Sequence, residues 1–480
     1  MASIQPAKLV RSASHVLPGR LLVTELFFAV PRNHARPGDG TLTLFGRTVR
    51  KNERPIVPPS PSDAAAKAQL PYLVYLEGGP GFGNREPQNH PLTRVALDRG
   101  YQVLYLDYRG TGLSTPINAP LVLAQGGEED QARFLKLFRA NSIVRDFEAV
   151  RLTLTEHFDA DKKAWSIVGQ SFGGFVALTY LSKFPGGLRE VFMTGGLAPI
   201  LRGPDEVYTA TYKKVIERNE AYYRKYPADV AAVRRIAEYI VRAGGEQGIP
   251  LPSGGRLTVS LFLTLGLAFG AHGGLDDVHS LILRLTTDLD QTGQFTRASL
   301  AAFESHIPFE HHPIYALLHE SIYHAKKTVA QPSNWSARRV GQNLPSSCYF
   351  TWLRDPDFLK SAPQEQPLFF AGEMVFPFHF DGSAGPELKR MEPVAARLAS
   401  ETEWEEDLYD EEQLRRNEVP VYAVSYIDDM YVDFEFARET ARLVKGIKVR
   451  ETNAWYHDAV RSKSEEVYAT LFSLRDDEID

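Results

Sequence analysis

A serine between two glycines is the part of this sequence whose chemistry is easiest to specify. Residues 169–173 read Gly-Gln-Ser-Phe-Gly and fit the pattern G-x-S-x-G. That pattern is typical of a sharp strand-to-helix turn that exposes a nucleophilic serine above a sheet. The glycines would let the strand and the helix approach closely. A short apolar strand predicted over 165–168 and a helix over 175–184 favour this interpretation over an ordinary glycine-rich turn.

A serine hydroxyl becomes a good nucleophile only when a base removes its proton and a third group orients that base. Where the serine occupies such a turn, the chain order is serine, acid, histidine, each just past a strand end. Ser171, Asp429 and His457 occur in that order, Asp429 after an apolar strand and His457 before the last predicted helix. These three residues are therefore the predicted catalytic triad.

Two adjacent acids compete for the place in this triad. Asp428 and Asp429 both follow the strand predicted over 419–426. We favour Asp429 because it lies nine residues after Pro420, which is the usual spacing between strand and acid in such folds. His457 is one of 13 histidines, and its place in the loop before the last helix favours catalysis over a surface position.

The reaction also needs two backbone N–H groups that stabilise the oxyanion. Phe172, directly after the nucleophile, is the first predicted donor. Residues 78–81 read Gly-Gly-Pro-Gly after the apolar run 72–76, and Gly79 is the second predicted donor because Pro80 has no N–H. The alternative is that these glycines only turn the chain.

The elements that must position these residues alternate between short apolar strands and helices. This alternation predicts an α/β fold with a mostly parallel, doubly wound sheet. Together with the G-x-S-x-G turn and the chain order of the triad, it predicts the α/β-hydrolase fold. The predicted strands cover 21–30, 41–49, 72–76, 101–106, 165–168, 191–194, 419–426 and 448–450. The first two are predicted to form an antiparallel hairpin. Residues 55–68 are predicted to be a loop, and the N-terminus is predicted to be frayed.

A long helical insertion separates the predicted strands into two groups. We predict core residues at 1–197, a helical cap at 198–365 and the second part of the core at 366–480. No buried-strand pattern interrupts the cap, which is too long for an ordinary loop and lies where a lid would sit.

Composition excludes several classes of protein. The chain has 480 residues, 43% of them hydrophobic, with a net charge of -6 and a single cysteine, Cys348. The negative charge argues against a nucleic-acid binder and gives no reason to invoke a membrane surface. A single cysteine excludes an intramolecular disulfide and a thiolate zinc site, so a cytoplasmic protein is the simplest expectation. His319 and His324 are five residues apart, whereas a zinc-binding helix needs four. We expect no metal and no cofactor.

Three motifs together resemble the proline iminopeptidase family of serine hydrolases: residues 78–81, 107–114 and 169–174. Four later segments resemble its larger branch: 316–320, 372–374, 428–433 and 456–458. The resemblance implies a helical cap, no metal, and release of N-terminal proline from small peptides. Glu77 and Tyr108 depart from the family motifs, which usually carry His and Gln there.

Recognition of a free peptide terminus needs a carboxylate near the scissile carbonyl, because the terminal amino or imino group is cationic near neutral pH. Glu320 is the first candidate because it lies in an otherwise apolar helix, where an unpaired acid is costly to bury. Glu373 is the second for the same reason. The alternative is that each caps a helix or pairs with a structural arginine.

The sequence therefore predicts a serine aminopeptidase that acts on N-terminal proline or a similar small residue of a peptide. Another capped serine hydrolase, an esterase, lactonase or amidase of a biosynthetic pathway, is the alternative. A non-catalytic binding protein with this fold is less favoured because the triad is intact. The oligomeric state does not follow from the sequence.

Overall fold

A nine-stranded sheet runs through the molecule. The structure is a computed structural model, and it describes residues 4–53, 60–345, 347 and 349–477. Cys348 and the first part of the predicted loop 55–68 lie outside these residues. The strands, of which β8 and β9 form a separate small hairpin, are β1 (Lys8–Leu17), β2 (Leu21–Pro31), β3 (Thr41–Lys51), β4 (Tyr72–Leu76), β5 (Gln102–Leu106), β6 (Trp165–Gln170), β7 (Leu188–Thr194), β8 (Ile249–Pro250), β9 (Arg256–Leu257), β10 (Val421–Tyr426) and β11 (Ile447–Thr452). The order in the main sheet is β1-β2-β3-β5-β4-β6-β7-β10-β11.

Six of these strands, from β5 to β11 in that order, are parallel. Every residue of β4, β5, β6 and β10 is buried, as expected where helices cover both faces of a sheet. The predicted α/β-hydrolase fold with a mostly parallel sheet is confirmed.

The first three strands are antiparallel and extend the sheet at one edge. The predicted hairpin is present as β2 and β3. The prediction of a frayed N-terminus is wrong for residues 8–17, which pair with β2 as the edge strand β1. Nearly all side chains of β1 are exposed, so the strand has no alternation of buried residues that the sequence could reveal.

Helices of the first part of the chain are α1 (Pro61–Ala68), α2 (Pro91–Asp98), α3 (Ala119–Leu123), α4 (Glu128–Lys136), α5 (Ala140–Leu154) and α6 (Phe172–Lys183). Helix α1 corrects the loop predicted over its residues. The Ser60 side chain accepts a hydrogen bond from the Asp63 N–H, and Pro61 occupies the first turn. Both features are start signals of a helix.

The helical region between β7 and β10 contains α7 (Pro204–Lys225), α8 (Asp229–Gly244), α9 (Val259–Phe262), α10 (Gly274–Thr292), α11 (Arg297–Glu304), α12 (Pro313–Leu318), α13 (Ser336–Gln342), α14 (Phe358–Ser361), α15 (Pro386–Lys389), α16 (Glu392–Ala399) and α17 (Glu411–Arg415). After β10 follow α18 (Phe434–Leu443), α19 (Ala459–Ser462) and α20 (Ser464–Asp476). We call 198–365 the cap, and its two boundaries stay predictions. Within the described ranges, no helix combines the length and low polarity needed to cross a bilayer.

Candidate active site

The nucleophile candidate lies in the turn between β6 and α6. Ser171 has φ 54° and ψ −124°, a conformation that non-glycine residues rarely adopt and that functional sites often contain. A side chain on Gly173 would place its Cβ 2.0 Å from the Leu76 carbonyl oxygen, and one on Gly169 would lie 2.5 Å from the Gly173 oxygen. Strand and helix therefore approach as closely as the G-x-S-x-G pattern predicts.

The three predicted triad residues lie in one hydrogen-bonded chain. His457 Nε2 is 2.8 Å from Ser171 Oγ, and His457 Nδ1 is 2.8 Å from Asp429 Oδ2. All three side chains are buried. Their strands β6 and β10 and the strand β11 all end at the same edge of the sheet, which brings together residues far apart in sequence.

Asp429, rather than Asp428, contacts the histidine. The other oxygen of Asp429, Oδ1, accepts the N–H groups of Tyr431 at 2.8 Å and Val432 at 3.0 Å. Two backbone donors therefore fix the orientation of this carboxylate. Asp428 is 43% exposed and lies 3.4 Å from the Lys214 ammonium of α7.

The electrostatic surroundings of His457 stabilise its protonated form. Burial alone would lower the pKa of His457, but the Asp429 carboxylate and, to a smaller extent, Glu373 hold this pKa above its usual value. The Tyr431 ring packs edge-on against the imidazole with centroids 4.7 Å apart. The histidine thus has a defined orientation and can accept a proton when the serine reacts.

The loop 78–81 lies directly beside the nucleophile. A Cβ added to Gly78 would be 3.2 Å from the Cβ of Ser171, and Gly79 has φ +121°, which side chains other than hydrogen strongly disfavour. Phe172 is the first residue of α6, so its N–H has no acceptor within the helix. The two predicted oxyanion donors belong to the segments that flank Ser171, and their role stays a prediction.

Two known proteins that are similar to this chain over nearly its whole length carry the same name. The profile of a family described as alpha/beta hydrolase fold matches residues 71–241. A proline iminopeptidase of Aeromonas sobria is 39% identical over 453 residues, which are 94% of this chain and 96% of that protein. A proline iminopeptidase of Aspergillus aculeatus is 39% identical over 478 residues, which are 100% of this chain and 99% of that protein. This chain belongs to the proline iminopeptidase family.

One departure from the proline iminopeptidase motif forms a contact that the sequence did not reveal. Glu77, where the family usually carries His, is buried and lies 3.2 Å from Arg461 Nη2. The same carboxylate oxygen accepts the Gly78 N–H at 3.1 Å. Burial raises the pKa of Glu77, and the Arg461 guanidinium opposes that rise. Because Arg461 follows His457 by four residues, this pair joins the loop 78–81 to the segment that carries the base.

Tyr108, the second departure from the family motifs, packs against Glu77, the first. The hydroxyl of Tyr108 donates to the backbone carbonyl of Glu77 at 3.0 Å. Its ring packs edge-on against that of Phe172, with centroids 6.2 Å apart. Tyr108 therefore supports both segments that flank the nucleophile without touching the triad itself.

Glu373 is the predicted acid whose charge acts on the histidine of the triad. It accepts the Tyr315 hydroxyl at 2.6 Å, and His319 Nε2 lies 3.5 Å from its other oxygen. Burial alone would raise the pKa of Glu373, but His319, then the charge of His457, then the Tyr315 hydroxyl hold it below its usual value. Among the described residues it forms no ion pair with a lysine or arginine. The charges of Glu373 and His457 therefore influence each other's pKa.

Glu320, the first candidate, is not brought to the triad. Its carboxylate accepts the backbone N–H of Ala337 at 2.9 Å, in the first turn of α13. Burial raises the pKa of Glu320, and this N–H opposes the rise. This contact favours the alternative that Glu320 caps a helix, because an acid at a helix N-terminus stabilises the helix. A role of Glu320 in substrate binding stays a prediction.

His319, which lies near Glu373, has polar side chains on both sides of its ring. His319 lies between Glu373 and the Tyr208 hydroxyl, which is 3.3 Å from its Nδ1.

Within the part of the chain that is described, no group of three or more His, Cys, Asp or Glu side chains is arranged to hold a metal ion.

Proposed function

We propose that this protein is a serine aminopeptidase that releases proline, or a similar small residue, from the free N-terminus of a peptide through an acyl-enzyme. The observation that carries the proposal is the hydrogen-bonded chain Ser171–His457–Asp429, and the charge of Glu373 acts on the histidine of that chain. Membership of the proline iminopeptidase family supports the same substrate class. A cytosolic setting belongs to this proposal as well.

The proposed mechanism has an acylation step and a deacylation step, and His457 transfers protons in both. His457 Nε2 accepts the Ser171 proton while Oγ attacks the carbonyl carbon of the terminal residue. The N–H groups of Phe172 and Gly79 stabilise the oxyanion. His457 then gives the proton to the departing nitrogen, the C–N bond breaks, and an ester to Ser171 remains. A water molecule, activated by the same histidine, hydrolyses that ester.

The proposed role of Glu373 is to bind the cationic terminus. A protonated imino group needs an acceptor that is already ionised, and the lowered pKa of Glu373 meets this condition at neutral pH. Because its present partners are a hydroxyl and a histidine, the carboxylate is not already neutralised by a lysine or arginine. A charge-assisted hydrogen bond there would position the terminal residue for attack.

A substrate panel tests the proposal. We expect rapid hydrolysis of prolyl anilide, and slow hydrolysis of N-acetylprolyl anilide, because acetylation removes the positive charge. A small neutral ester, p-nitrophenyl acetate, measures the reactivity of the triad alone. Equal hydrolysis of the free and acetylated anilides would contradict an aminopeptidase, and activity on the ester alone would favour the esterase alternative.

A further inference from the structure

Strand β1 lies at one end of the main sheet and has a neighbouring strand on one side only. It pairs antiparallel with β2, and no other strand of the described residues pairs with it. Nearly all of its ten side chains are exposed, so neither face of β1 is covered within the described part of the chain. Such a strand presents a row of backbone N–H and C=O groups that can pair with a strand of another chain.

Exposed apolar side chains are concentrated on this strand. Among the described residues, eight large apolar side chains are exposed, and three of them belong to β1. Leu9 is 43% exposed, Val10 60% and Val16 54%. Single exposed apolar side chains are normal on a protein surface, whereas a group of them indicates an interaction surface.

A β-bulge places two of these side chains on the same face of the sheet. The register of β1 on β2 shifts between Leu9 and Arg11, because Val10 is an extra residue of β1. Side chains of a regular strand alternate between the two faces, and one extra residue reverses that alternation. Leu9 and Val16 therefore share a face although they are seven residues apart.

Ala13 is the midpoint between these two side chains. It lies opposite Glu25 of β2, and Leu9 and Val16 lie opposite the residues three positions after and three positions before Glu25. A two-fold axis through Ala13, perpendicular to the sheet, would make β1 of a second copy an antiparallel neighbour. Leu9 of each copy would then lie opposite Val16 of the other.

The cations of β1 are compatible with this register. Lys8 would lie opposite Leu17 of the second copy, and Arg11 opposite His15, so the two cations do not face each other. Lysine and arginine side chains can protect an edge strand from pairing. The Arg11 guanidinium is instead turned back over the ring of Phe27 in β2, 3.9 Å from its centroid.

We propose that two copies of this protein pair through β1 and form a two-fold dimer in which the two nine-stranded sheets become one. Backbone hydrogen bonds and two contacts between Leu9 and Val16 stabilise the pair. One pair of strands buries less surface than a typical stable interface, so we expect a Kd of about 10–100 µM. The strands β10 and β11 lie at the other end of the sheet, so the dimer does not depend on the proposed aminopeptidase activity.

Sedimentation velocity of the full chain tests the dimer. Between about 1 and about 200 µM, the mass should rise from that of one chain toward that of two, because the upper concentration exceeds the expected Kd. A mass of one chain at every concentration would overturn the proposal.

A charge exchange tests the register of the dimer. Leu9→Lys and Val16→Glu should each raise the Kd about tenfold, since the dimer contains two of these contacts. The double variant should restore association, because the lysine of each copy lies opposite the glutamate of the other. Leu283→Lys, at an exposed leucine of α10, is the control and should not change the Kd. An unchanged Kd in both single variants would overturn the proposal, and Tm shows that the fold is intact.

A disulfide tests the position of the two-fold axis. In a Cys348→Ser background, Ala13→Cys places two thiols directly opposite each other, where the Cα atoms of paired strands are about 4.5–5.5 Å apart and a disulfide can form. Ser14→Cys gives a diagonal pair about 7–8 Å apart, which is too far. Mild oxidation should therefore link two chains only in Ala13→Cys. Linkage only in Ser14→Cys, equal linkage in both or linkage in neither would overturn the proposed axis.

Discussion

The triad and the acids near it are positioned by two different kinds of structure. Ser171, Asp429 and His457 follow strands of one parallel sheet, whose hydrogen-bonded register determines where each loop begins. Glu320 and Glu373 lie in the helical region, where only side-chain packing decides which way an acid points. The charge of Glu373 acts on the base, whereas the carboxylate of Glu320 contacts the start of a helix. Backbone pairing thus positions the predicted triad, and side-chain packing positions the acids predicted to bind the substrate.

The largest effect should come from a residue that the sheet positions. Ser171→Ala removes the nucleophile and should lower kcat by a factor of roughly 10⁶, as in other serine triads. Hydrolysis of prolyl anilide measures the loss, and an unchanged Tm shows that the fold is intact. A serine-directed phosphonate should label Ser171 in the unaltered protein. Retained activity in the alanine variant would show that Ser171 is not the nucleophile.

The two adjacent acids give a matched pair within the same loop. Asp429→Asn should lower kcat about 10⁴-fold, because an amide at this place favours the wrong tautomer of His457. Asp428→Asn removes only an exposed acid that contacts Lys214, so we expect a change of less than about threefold. Steady-state kinetics on one substrate decides between them. A larger loss in Asp428→Asn would mean that the observed contact is not the catalytic one.

The helical side of the comparison is tested by the other pair of acids. Glu373→Gln should lower kcat/KM for prolyl anilide about 100-fold, since loss of one partner of a buried charge pair is costly. Its effect on p-nitrophenyl acetate should be small. Glu320→Gln should leave both substrates unaffected and destabilise the protein by about 1 kcal/mol through the weakened helix start. Equal losses on both substrates in Glu373→Gln would indicate a structural role instead.

The smallest expected effect concerns the pH dependence of the reaction. Activity needs neutral His457, so kcat/KM should fall as the pH decreases through the raised pKa of this histidine. The positive charge of Arg461 lowers that pKa. Arg461→Gln should therefore move the acid limb of the profile to higher pH, and Arg461→Lys should leave it nearly in place. An unchanged acid limb of the pH profile in Arg461→Gln would show that the charge of Arg461 does not affect the pKa of His457.

The parts of the molecule that could be predicted from the sequence are mostly those that the parallel sheet positions. Buried parallel strands are apolar throughout, so β4, β5, β6 and β10 could be located, and the residues at their ends with them. Strand order brings those ends to one edge of the sheet. Ser171 and Asp429 could therefore be predicted without any knowledge of side-chain contacts. His457 follows the partly exposed strand β11 and is located instead by its place before the last predicted helix.

Other elements could not be predicted because their signals are weak or ambiguous. Strand β1 is held by backbone pairing and has exposed side chains, so its sequence shows no buried face. Helix α1 begins with Ser60 and Pro61, which also suit a loop. Glu320 and Glu373 both interrupt apolar segments, and only the packed structure shows which of them faces a helix N-terminus. The partner of Glu77 lies at Arg461, far away in sequence, and no local pattern indicates it.

The contacts on either side of the base limit how this scaffold can be modified. Asp458 accepts the backbone N–H of His272 at 2.9 Å, and the Tyr456 hydroxyl accepts from Arg218 at 3.2 Å, so both chain neighbours of His457 are bound by helical-region residues. Exchange of this region for that of another hydrolase would remove both contacts and release the loop that holds the base. New specificity is therefore better sought by single substitutions inside the existing helices than by transplanting a different lid, because the cap of this protein is not an interchangeable module.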